Sequence, residues 1–168
     1  MTVLSLRFST PEDDVAVGEL LVASFETQNQ AKLGVRSTLH RLADLRDQAT
    51  KRTNAAVIVA ELDGRIVGTV AVYRSGAPGS EAWVPGAAGL RYLAVDPALA
   101  GQGLSTQLLN KAVDVARSWD SVGMCLRIRR EAEGLARLYA RHGFVRDGRG
   151  DVDLLPEIFL LGFHRDLR

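Results

Sequence analysis

Two glycines, Gly101 and Gly103, stand directly before an amphipathic segment that begins at Leu104. They follow an apolar run at residues 90–95 and a short Asp-Pro break. This order predicts a strand, a tight turn and a helix whose first turn carries few side chains. The first N–H groups of a helix have no partner within it, and the helix dipole makes that end positive. Because glycine lets an anion approach those groups closely, the pattern predicts a phosphate-binding loop.

The residues around the glycines do not match two common phosphate-binding loops. A Walker loop ends in Gly-Lys-Ser/Thr, whereas Leu104 follows Gly103 here and the next lysine is Lys111. A dinucleotide fingerprint has a third glycine three residues after the second, and Thr106 occupies that position. An ordinary strand-to-helix turn, in which the glycines serve only the backbone geometry, stays open for the loop taken by itself.

The loop resembles the acyl-CoA loop of the GNAT acetyltransferase superfamily, which reads Arg/Gln-x-x-Gly-x-Gly/Ala after a strand that ends in Val-x-Pro. The strand end Val95-Asp96-Pro97 and the stretch Gly101-Gln102-Gly103 carry the resemblance. The chain departs from the pattern at Ala100, where the family has Arg or Gln, and at Ser105, where it has Gly or Ala.

The resemblance implies a set of main-chain contacts to acetyl-CoA, which would be the co-substrate of a reaction that uses no metal. The strand would pair with the pantetheine amides through Leu93, Ala94 and Val95. The pyrophosphate would be held by the backbone N–H groups of the loop and first helical turn, namely Gly101, Gln102, Gly103, Leu104, Ser105 and Thr106.

A second pattern lies at residues 132–144, which read AEGLARLYARHGF. Leu138-Tyr139 and Gly143-Phe144 resemble the GNAT helix that carries Leu-Tyr and then, two or three residues later, Gly-Phe. In that family the tyrosine hydroxyl points at the sulfur of CoA, so the resemblance implies that Tyr139 is catalytic. A phenol with a pKa of about 10 stays protonated until a thiolate forms beside it. The structural alternative is a core tyrosine, and Ala132 replaces an Asn that the family often has.

The resemblance implies direct attack by a neutral amine on the acetyl thioester, without a covalent enzyme intermediate. Positioning would supply most of the rate enhancement, with one strand N–H near the thioester carbonyl. Many relatives carry a general-base Glu near the position of Gly89, but residues 89–95 contain no carboxylate. The candidate bases, acting through water, are therefore Tyr92, Glu26, His40 and Asp153.

We therefore expect an N-acetyltransferase that moves an acetyl group from acetyl-CoA to a primary amine. The alternative is a catalytically weak GNAT-fold protein that acts as an acyl-CoA sensor or interaction module, which Ala100, Ala132 and the missing glutamate favour. The acceptor would be a small-molecule or peptide amine that contacts residues 26–36 and 75–88. Neither segment concentrates one sign of charge, which disfavours a polyamine. Trp83 either covers the acceptor or packs on the domain, and a homodimer stays open.

Composition excludes several other classes of protein. The 168 residues are 46% hydrophobic and 24% charged, as in ordinary globular domains. With 21 basic and 20 acidic residues the net charge is +1, so we expect neither a nucleic-acid nor a membrane partner. A single cysteine, Cys125, excludes an internal disulfide and a cysteine-based zinc site, and its apolar surroundings predict a core position. No signal-peptide or membrane-span pattern is visible, so we expect a cytoplasmic protein.

Hydrophobic periodicity predicts the elements that position these residues. Thr10, with Pro11 and Asp13 after it, is expected to cap a first helix whose buried stripe contains Val15, Leu20, Leu21 and Phe25. A polar break at 28–34 and a long mobile loop at 75–88 are also expected. The remaining helices are predicted at about 35–51, from 104, and at 132–141; the strands are predicted at 3–8, 55–62, 65–73, 90–95, 123–128, 144–146 and 158–163.

These elements predict one domain over residues 3–167 with an α+β (mixed α/β) fold. Asp63-Gly64 predicts an antiparallel hairpin, and the helix after Gly103 predicts a parallel crossover to the strand at 123–128. The order of elements resembles the GNAT acyl-CoA N-acyltransferase fold, a central mixed, mostly antiparallel sheet flanked by helices.

Overall fold

The computed structural model describes residues 3–30, 39–154 and 158–168. Its helices are α1 (Asp14–Gln30), α2 (Leu39–Arg46), α3 (Gln48–Asn54), α4 (Leu104–Ser118) and α5 (Glu133–Arg141). Its strands are β1 (Leu4–Phe8), β2 (Ala55–Leu62), β3 (Arg65–Tyr73), β4 (Ala88–Val95), β5 (Gly123–Arg129), β6 (Val145–Arg146), β7 (Val152–Leu154) and β8 (Ile158–Asp166).

The first helix begins with the predicted cap, but its buried face differs from the prediction. The Asp13 carboxylate accepts a hydrogen bond from the Thr10 N–H at 2.8 Å, after which a 3₁₀ turn leads into α1. The predicted stripe is wrong at Val15, which is 79% exposed. Because Val17 and Leu21 form the buried row, Val15 lies about 200° away from it around the helix.

The helix predicted at 35–51 is two helices. Asp47 separates α2 from α3, and its carboxylate accepts a hydrogen bond from the Thr50 N–H at 3.2 Å as the cap of α3. An aspartate that caps a new helix in this way competes with continuation of the old one. The predicted start at 35 and most of the polar break at 28–34 lie outside the described residues, although α1 extends into that break as far as Gln30.

The described residues form two compact units. The first contains the residues up to Ala71 and Tyr92–Ala112. Its strands follow the order β1-β2-β3-β4, with β1 antiparallel to β2. The hairpin between β2 and β3 is confirmed, because Asp63 and Gly64 both have positive φ, of 50° and 80°, as a type I′ turn requires.

Helix α4 packs its predicted face into the core. The residues of that face are all buried, namely Leu104, Leu108, Leu109, Ala112, Val113 and Ala116. In the first unit the helix comes close to β3 at Gly68, where a Cβ atom would lie 2.9 Å from Leu108 Cδ1. The missing side chain at Gly68 allows this close approach of helix and strand.

The second unit contains Val72–Arg91 and Val113–Arg168. The predicted parallel pairing is confirmed, with Ala88 of β4 opposite Met124 of β5 and Gly89 opposite Cys125. Strand β8 pairs antiparallel with β5 along seven residues and also carries the short strands β6 and β7. The closing strand is thus longer than the predicted 158–163, and β7 was not predicted, because three residues are too few for a periodic signal.

The fold class predicted from the sequence is confirmed: the protein is α+β, with a mixed but mostly antiparallel sheet and helices around it. Cys125 is buried, as predicted, and burial raises the pKa of its thiol. Among the helices of the described residues, none has both the length and the apolar composition that a membrane span requires.

Candidate functional site

The turn between β4 and α4 has the backbone conformation of an anion-binding loop. The Asp96 carboxylate accepts a hydrogen bond from the Ala98 N–H at 3.0 Å and starts a short 3₁₀ turn. Gly101 and Gly103 follow with φ values of 81° and 80°. A side chain at either position would meet no atom within 4 Å, so the backbone conformation and not crowding requires glycine there.

Several backbone N–H groups of this turn are available as donors. The first α-helical bond of α4 runs from the Gln107 N–H to the Gly103 carbonyl at 3.1 Å. Within the described part of the chain, the N–H groups of Gly101, Gly103, Leu104 and Ser105 donate to no backbone carbonyl. The two glycines are exposed to solvent and Leu104 is buried. The turn therefore presents the N–H groups of Gly101 and Gly103 to solvent at the positive end of a 15-residue helix.

Strand β4 leaves regular geometry just before the predicted pantetheine-binding residues. The ladder to β5 ends at Gly89, and Tyr92 has a φ of 59°. Left-handed backbone in an aromatic residue inside a strand costs about 1–3 kcal/mol and persists only where its surroundings hold it. Leu93, Ala94 and Val95 follow at once, with Ala94 buried and the other two half-buried.

The side chain of Tyr92 belongs to a polar cluster that sequence reasoning missed. Its hydroxyl lies 3.2 Å from Asp44 Oδ2, and the Lys51 ammonium lies 4.6 Å from the centre of its ring. Lys51 is only 5% exposed and donates hydrogen bonds to the carbonyls of Asp44 and Asp47. Asp44 also pairs with Arg41 at 3.4 Å. In the sequence Asp44 is one of several helical acids, and only tertiary packing brings it to Tyr92.

The other candidate bases differ in their surroundings. Glu26 is exposed on α1, close enough to Arg46 to act on it electrostatically. Asp153 is exposed on β7, opposite Phe159 of β8. His40 lies on α2, and its side chain is outside the described part of the chain. Of the candidates whose side chains are described, Tyr92 is the one held against an acidic partner.

Tyr139 lies in the second unit, whereas Leu93–Val95 and the turn at 101–106 lie in the first. It is 4% exposed, and its ring packs edge-on against Phe144 with 5.6 Å between centroids. The Gly143 backbone has a φ of 83°, which turns the chain back so that the Phe144 N–H reaches the Tyr139 carbonyl at 3.1 Å. Burial raises the pKa of Tyr139 above its ordinary value. The phenol therefore stays protonated at neutral pH, as a proton donor must.

The segment between β3 and β4 is irregular, as predicted, but contacts hold it in place. Trp83 Nε1 donates to Asp147 Oδ2 at 2.8 Å, and the Arg127 guanidinium lies 5.0 Å from the Trp83 ring centre. The main chain of Ser80 covers β4 so closely that any side chain at Gly89 would collide with it. Trp83 thus packs on the domain, and Gly89, near which the family resemblance implies a glutamate, has no room for a side chain.

A comparison with family models identifies the family. The acetyltransferase (GNAT) domain family matches residues 53–146, which is more than half of the chain. No curated protein sequence matches the chain significantly. The matched region contains the β4 strand, the turn at 101–106 and Tyr139.

Solved structures with the same fold share little sequence with this chain. One is a GNAT-family acetyltransferase from Staphylococcus aureus Mu50, with a TM-score of 0.78 and 15% identity over 99% of this chain and 100% of that one. The PaiA N-acetyltransferase from Thermoplasma acidophilum, in complex with coenzyme A, has a TM-score of 0.73 and 14% identity over 98% and 99%. The yncA protein from Salmonella typhimurium, with its cofactor acetyl-CoA, has a TM-score of 0.71 and 21% identity over 99% and 95%.

The family match extends over the strand, turn and helix that form the candidate phosphate-binding loop, and the neighbouring structures have the same fold along nearly the whole chain. The chain therefore belongs to the GNAT family of acetyltransferases.

Proposed function

We propose that the protein transfers an acetyl group from acetyl-CoA to a primary amine by direct attack. The observation that carries this proposal is the turn before α4, where the N–H groups of Gly101, Gly103, Leu104 and Ser105 donate to no backbone carbonyl of the described residues. Two neighbouring structures contain coenzyme A or acetyl-CoA, which supports the choice of ligand. A diphosphate fits this donor set because amides at a helix N-terminus bind anions without a lysine or a metal.

The backbone supplies most of the proposed binding. The N–H groups of Gly101, Gly103, Leu104 and Ser105 hold the pyrophosphate, whereas the Gln102 N–H, also predicted to do so, donates to the Leu99 carbonyl at 3.4 Å. The main chain of Leu93, Ala94 and Val95 pairs with the pantetheine amides. Ala100 is exposed and contributes no polar group, so the amides act without the arginine or glutamine of other members. The early end of the β4–β5 ladder supports this assignment, because a strand that leaves its ladder has N–H and C=O groups available for a ligand.

The proposed chemistry needs a donor for the leaving thiolate, and we assign that role to Tyr139. A neutral amine attacks the thioester carbon, the C–N bond forms, and the C–S bond breaks as the electron pair leaves on sulfur. The Tyr139 hydroxyl gives its proton to that sulfur, the new amide nitrogen releases one proton to water, and the Tyr139 phenolate takes one proton back from water. A phenol with its ordinary pKa of about 10 is protonated at neutral pH, so it can donate to the thiolate as that forms.

Two measurements test the proposal. Acetyl-CoA at 100 times its Kd should stabilise the protein by about 2.7 kcal/mol, measured as a thermal shift. Tyr139→Phe should keep that shift and lower kcat for CoA release with a panel of primary amines by about 10²-fold or more. The absence of a shift at millimolar acetyl-CoA would overturn the proposal.

The second candidate is an acyl-CoA sensor or interaction module with weak or no turnover. The lack of a polar side chain at Ala100, and the covered position at Gly89, favour it. A sensor binds acetyl-CoA but releases no CoA with any amine of the panel, and its ligand response is indifferent to Tyr139→Phe. Turnover by the wild-type protein that Tyr139→Phe lowers excludes the sensor.

A further inference from the structure

The polar cluster around Tyr92 has the composition of a site for the acceptor amine. Tyr92 immediately precedes Leu93, the first residue of the proposed pantetheine-binding strand segment. Tyr92 has a left-handed backbone within a strand. The other non-glycine residues of positive φ in the described ranges lie outside strands, Asp63 and Asp120 in turns and Glu81 in a loop. An unfavourable backbone at one point of a strand is the kind of feature that functional sites retain.

Polar contacts help to hold the Tyr92 side chain in its position, beside its packing against the hydrophobic core. The hydroxyl lies 3.2 Å from Asp44 Oδ2, and the Lys51 ammonium lies 4.6 Å from the ring centre. Lys51 is nearly buried and takes its hydrogen-bond acceptors from the α2 carbonyl of Asp44 and from that of Asp47. A buried lysine bonded in this way fixes the Tyr92 ring relative to the end of α2. The contact between Asp44 and Tyr92 is therefore held by buried groups.

We propose that Tyr92 and Asp44 bind the acceptor amine as its ammonium ion and remove a proton from it. This inference rests on the proposed function. The Asp44 side chain is 42% exposed, so it is open to solvent while it contacts the Tyr92 hydroxyl. The substrate class is a primary amine that is cationic at neutral pH. Tyr92 would touch the substrate, and Asp44 would act through Tyr92 as a positioning residue that finally carries the proton.

The proton transfer balances without another reactant. The ammonium gives one proton to Tyr92 Oη while the Tyr92 hydroxyl gives its own proton to Asp44 Oδ2. The freed nitrogen lone pair forms the C–N bond to the acetyl carbon of acetyl-CoA, and the C–S bond breaks. The amide nitrogen then loses a second proton, which balances the proton that the departing sulfur gains. Asp44 returns its proton to water.

The charged groups that face Asp44 come from three elements. Arg41 on α2 lies 3.4 Å away, Lys51 on α3 bonds to its carbonyl, and Tyr92 approaches from β4. On α1, which also packs against α2, Glu19 binds Arg46 at 2.9 Å and Glu26 acts on the same arginine. Within the described side chains, Asp44 is thus the carboxylate that contacts Tyr92.

The experiment compares Asp44→Asn and Tyr92→Phe with the wild type across pH. The probes are two primary amines of different pKa from the panel that the wild type acetylates. A variant that has lost the proton acceptor needs amine that is already neutral. We therefore expect kcat/KM of the variants near neutral pH to fall by about 10²-fold. As pH rises, kcat/KM should increase along a curve set by the pKa of each amine. Above that pKa it should approach the wild-type value. The matched control is Asp114→Asn, which removes an exposed carboxylate from α4 and should change nothing.

The outcomes separate this inference from the proposed function. A wild-type protein that fails to bind acetyl-CoA, or to acetylate any amine of the panel, overturns both. If the wild type is active and the Asp44→Asn and Tyr92→Phe variants keep its pH profile, that result overturns only the inference. So does a loss of rate that is equal at every pH, because it shows a structural role. Unchanged acetyl-CoA thermal shifts in both variants confirm that the variants are folded.

Discussion

At the scale of single residues, glycine serves two different purposes in this protein. Gly101 and Gly103 have φ values near 80° and open space where a side chain would be, so they are needed for backbone conformation. Gly89 and Gly150 instead face the Ser80 main chain and the Trp83 ring, so they are needed for space. Only the first kind leaves a concave, donor-rich surface exposed to a ligand.

Gly103→Ala tests whether that surface binds acetyl-CoA. The control is Gly64→Ala in the β2–β3 turn, because Gly64 has the same φ of 80° and the same open surroundings. Both variants should lose about 1–2 kcal/mol of unfolding free energy, since alanine strains a left-handed backbone. Calorimetric titration should show weaker acetyl-CoA binding in Gly103→Ala and unchanged binding in Gly64→Ala. Equal affinity in both variants would argue that the turn does not hold the ligand.

The buried phenol of Tyr139 should make the protein sensitive to alkaline pH. Its folded-state pKa is raised, so the folded state keeps a proton that the unfolded state releases above its ordinary pKa of about 10. Stability from this group is therefore complete below that pH and is lost as pH rises, by about 1.4 kcal/mol per pH unit. Denaturant unfolding of wild type and Tyr139→Phe between pH 9 and pH 11.5 measures this slope. Identical slopes would contradict the assigned burial.

At the scale of elements, the position of the proposed phosphate-binding turn depends on how α4 packs on β3. The closest approach is at Gly68, where a Cβ atom would lie 2.9 Å from Leu108 Cδ1 and 3.4 Å from Ala60 Cβ. Leu108 is fully buried, so it has little freedom to move away. The Asp96 N–H also donates to the Val67 carbonyl of β3 at 2.8 Å, which ties the start of the turn to the same strand.

Gly68→Ala should therefore overpack this contact. We expect a loss of about 1–3 kcal/mol of unfolding free energy from the added methyl group. Leu108→Ala alone should cost about 2–5 kcal/mol by leaving a cavity. The double variant should be more stable than the sum of the two losses predicts, because the new methyl group enters the space that Leu108 leaves. Additive losses in urea unfolding would show that the two residues are not in contact.

At the scale of the whole molecule, three elements run through both compact units. β3 crosses the division after Ala71, β4 crosses it after Arg91, and α4 crosses it after Ala112. Neither unit can therefore be cut out of the chain without breaking a strand or a helix. We propose on this ground that residues 3–167 are one domain, as the order of elements predicts.

Calorimetry checks the single domain. One domain should melt in one transition, with a calorimetric enthalpy equal to the van't Hoff enthalpy. Saturating acetyl-CoA should move that transition to higher temperature without splitting it. Two resolved transitions in the ligand-free protein would show that the units unfold independently and would contradict the proposal of a single domain.

Local patterns in the sequence predicted most of the fold, because they depend on neighbours along the chain. Asp63-Gly64, the Thr10 cap and the buried face of α4 each reflect backbone and side-chain preferences that act within a few residues. Glycine at 101 and 103 likewise requires no partner from elsewhere, so the turn between β4 and α4 could be predicted from the sequence. The break at Asp47 was missed because a cap and a helical position look alike inside a continuous apolar pattern.

The tertiary structure alone decided which side chains meet. Asp44, Lys51 and Tyr92 are separated by up to 48 residues, and no spacing rule relates a helix to a distant strand. The left-handed backbone at Tyr92 and the Ser80 main chain over Gly89 are also invisible in the sequence, since both depend on how close two segments come. The sequence by itself therefore determined most of the elements and the position of the proposed phosphate-binding turn. Packing decided the surroundings of each candidate catalytic group.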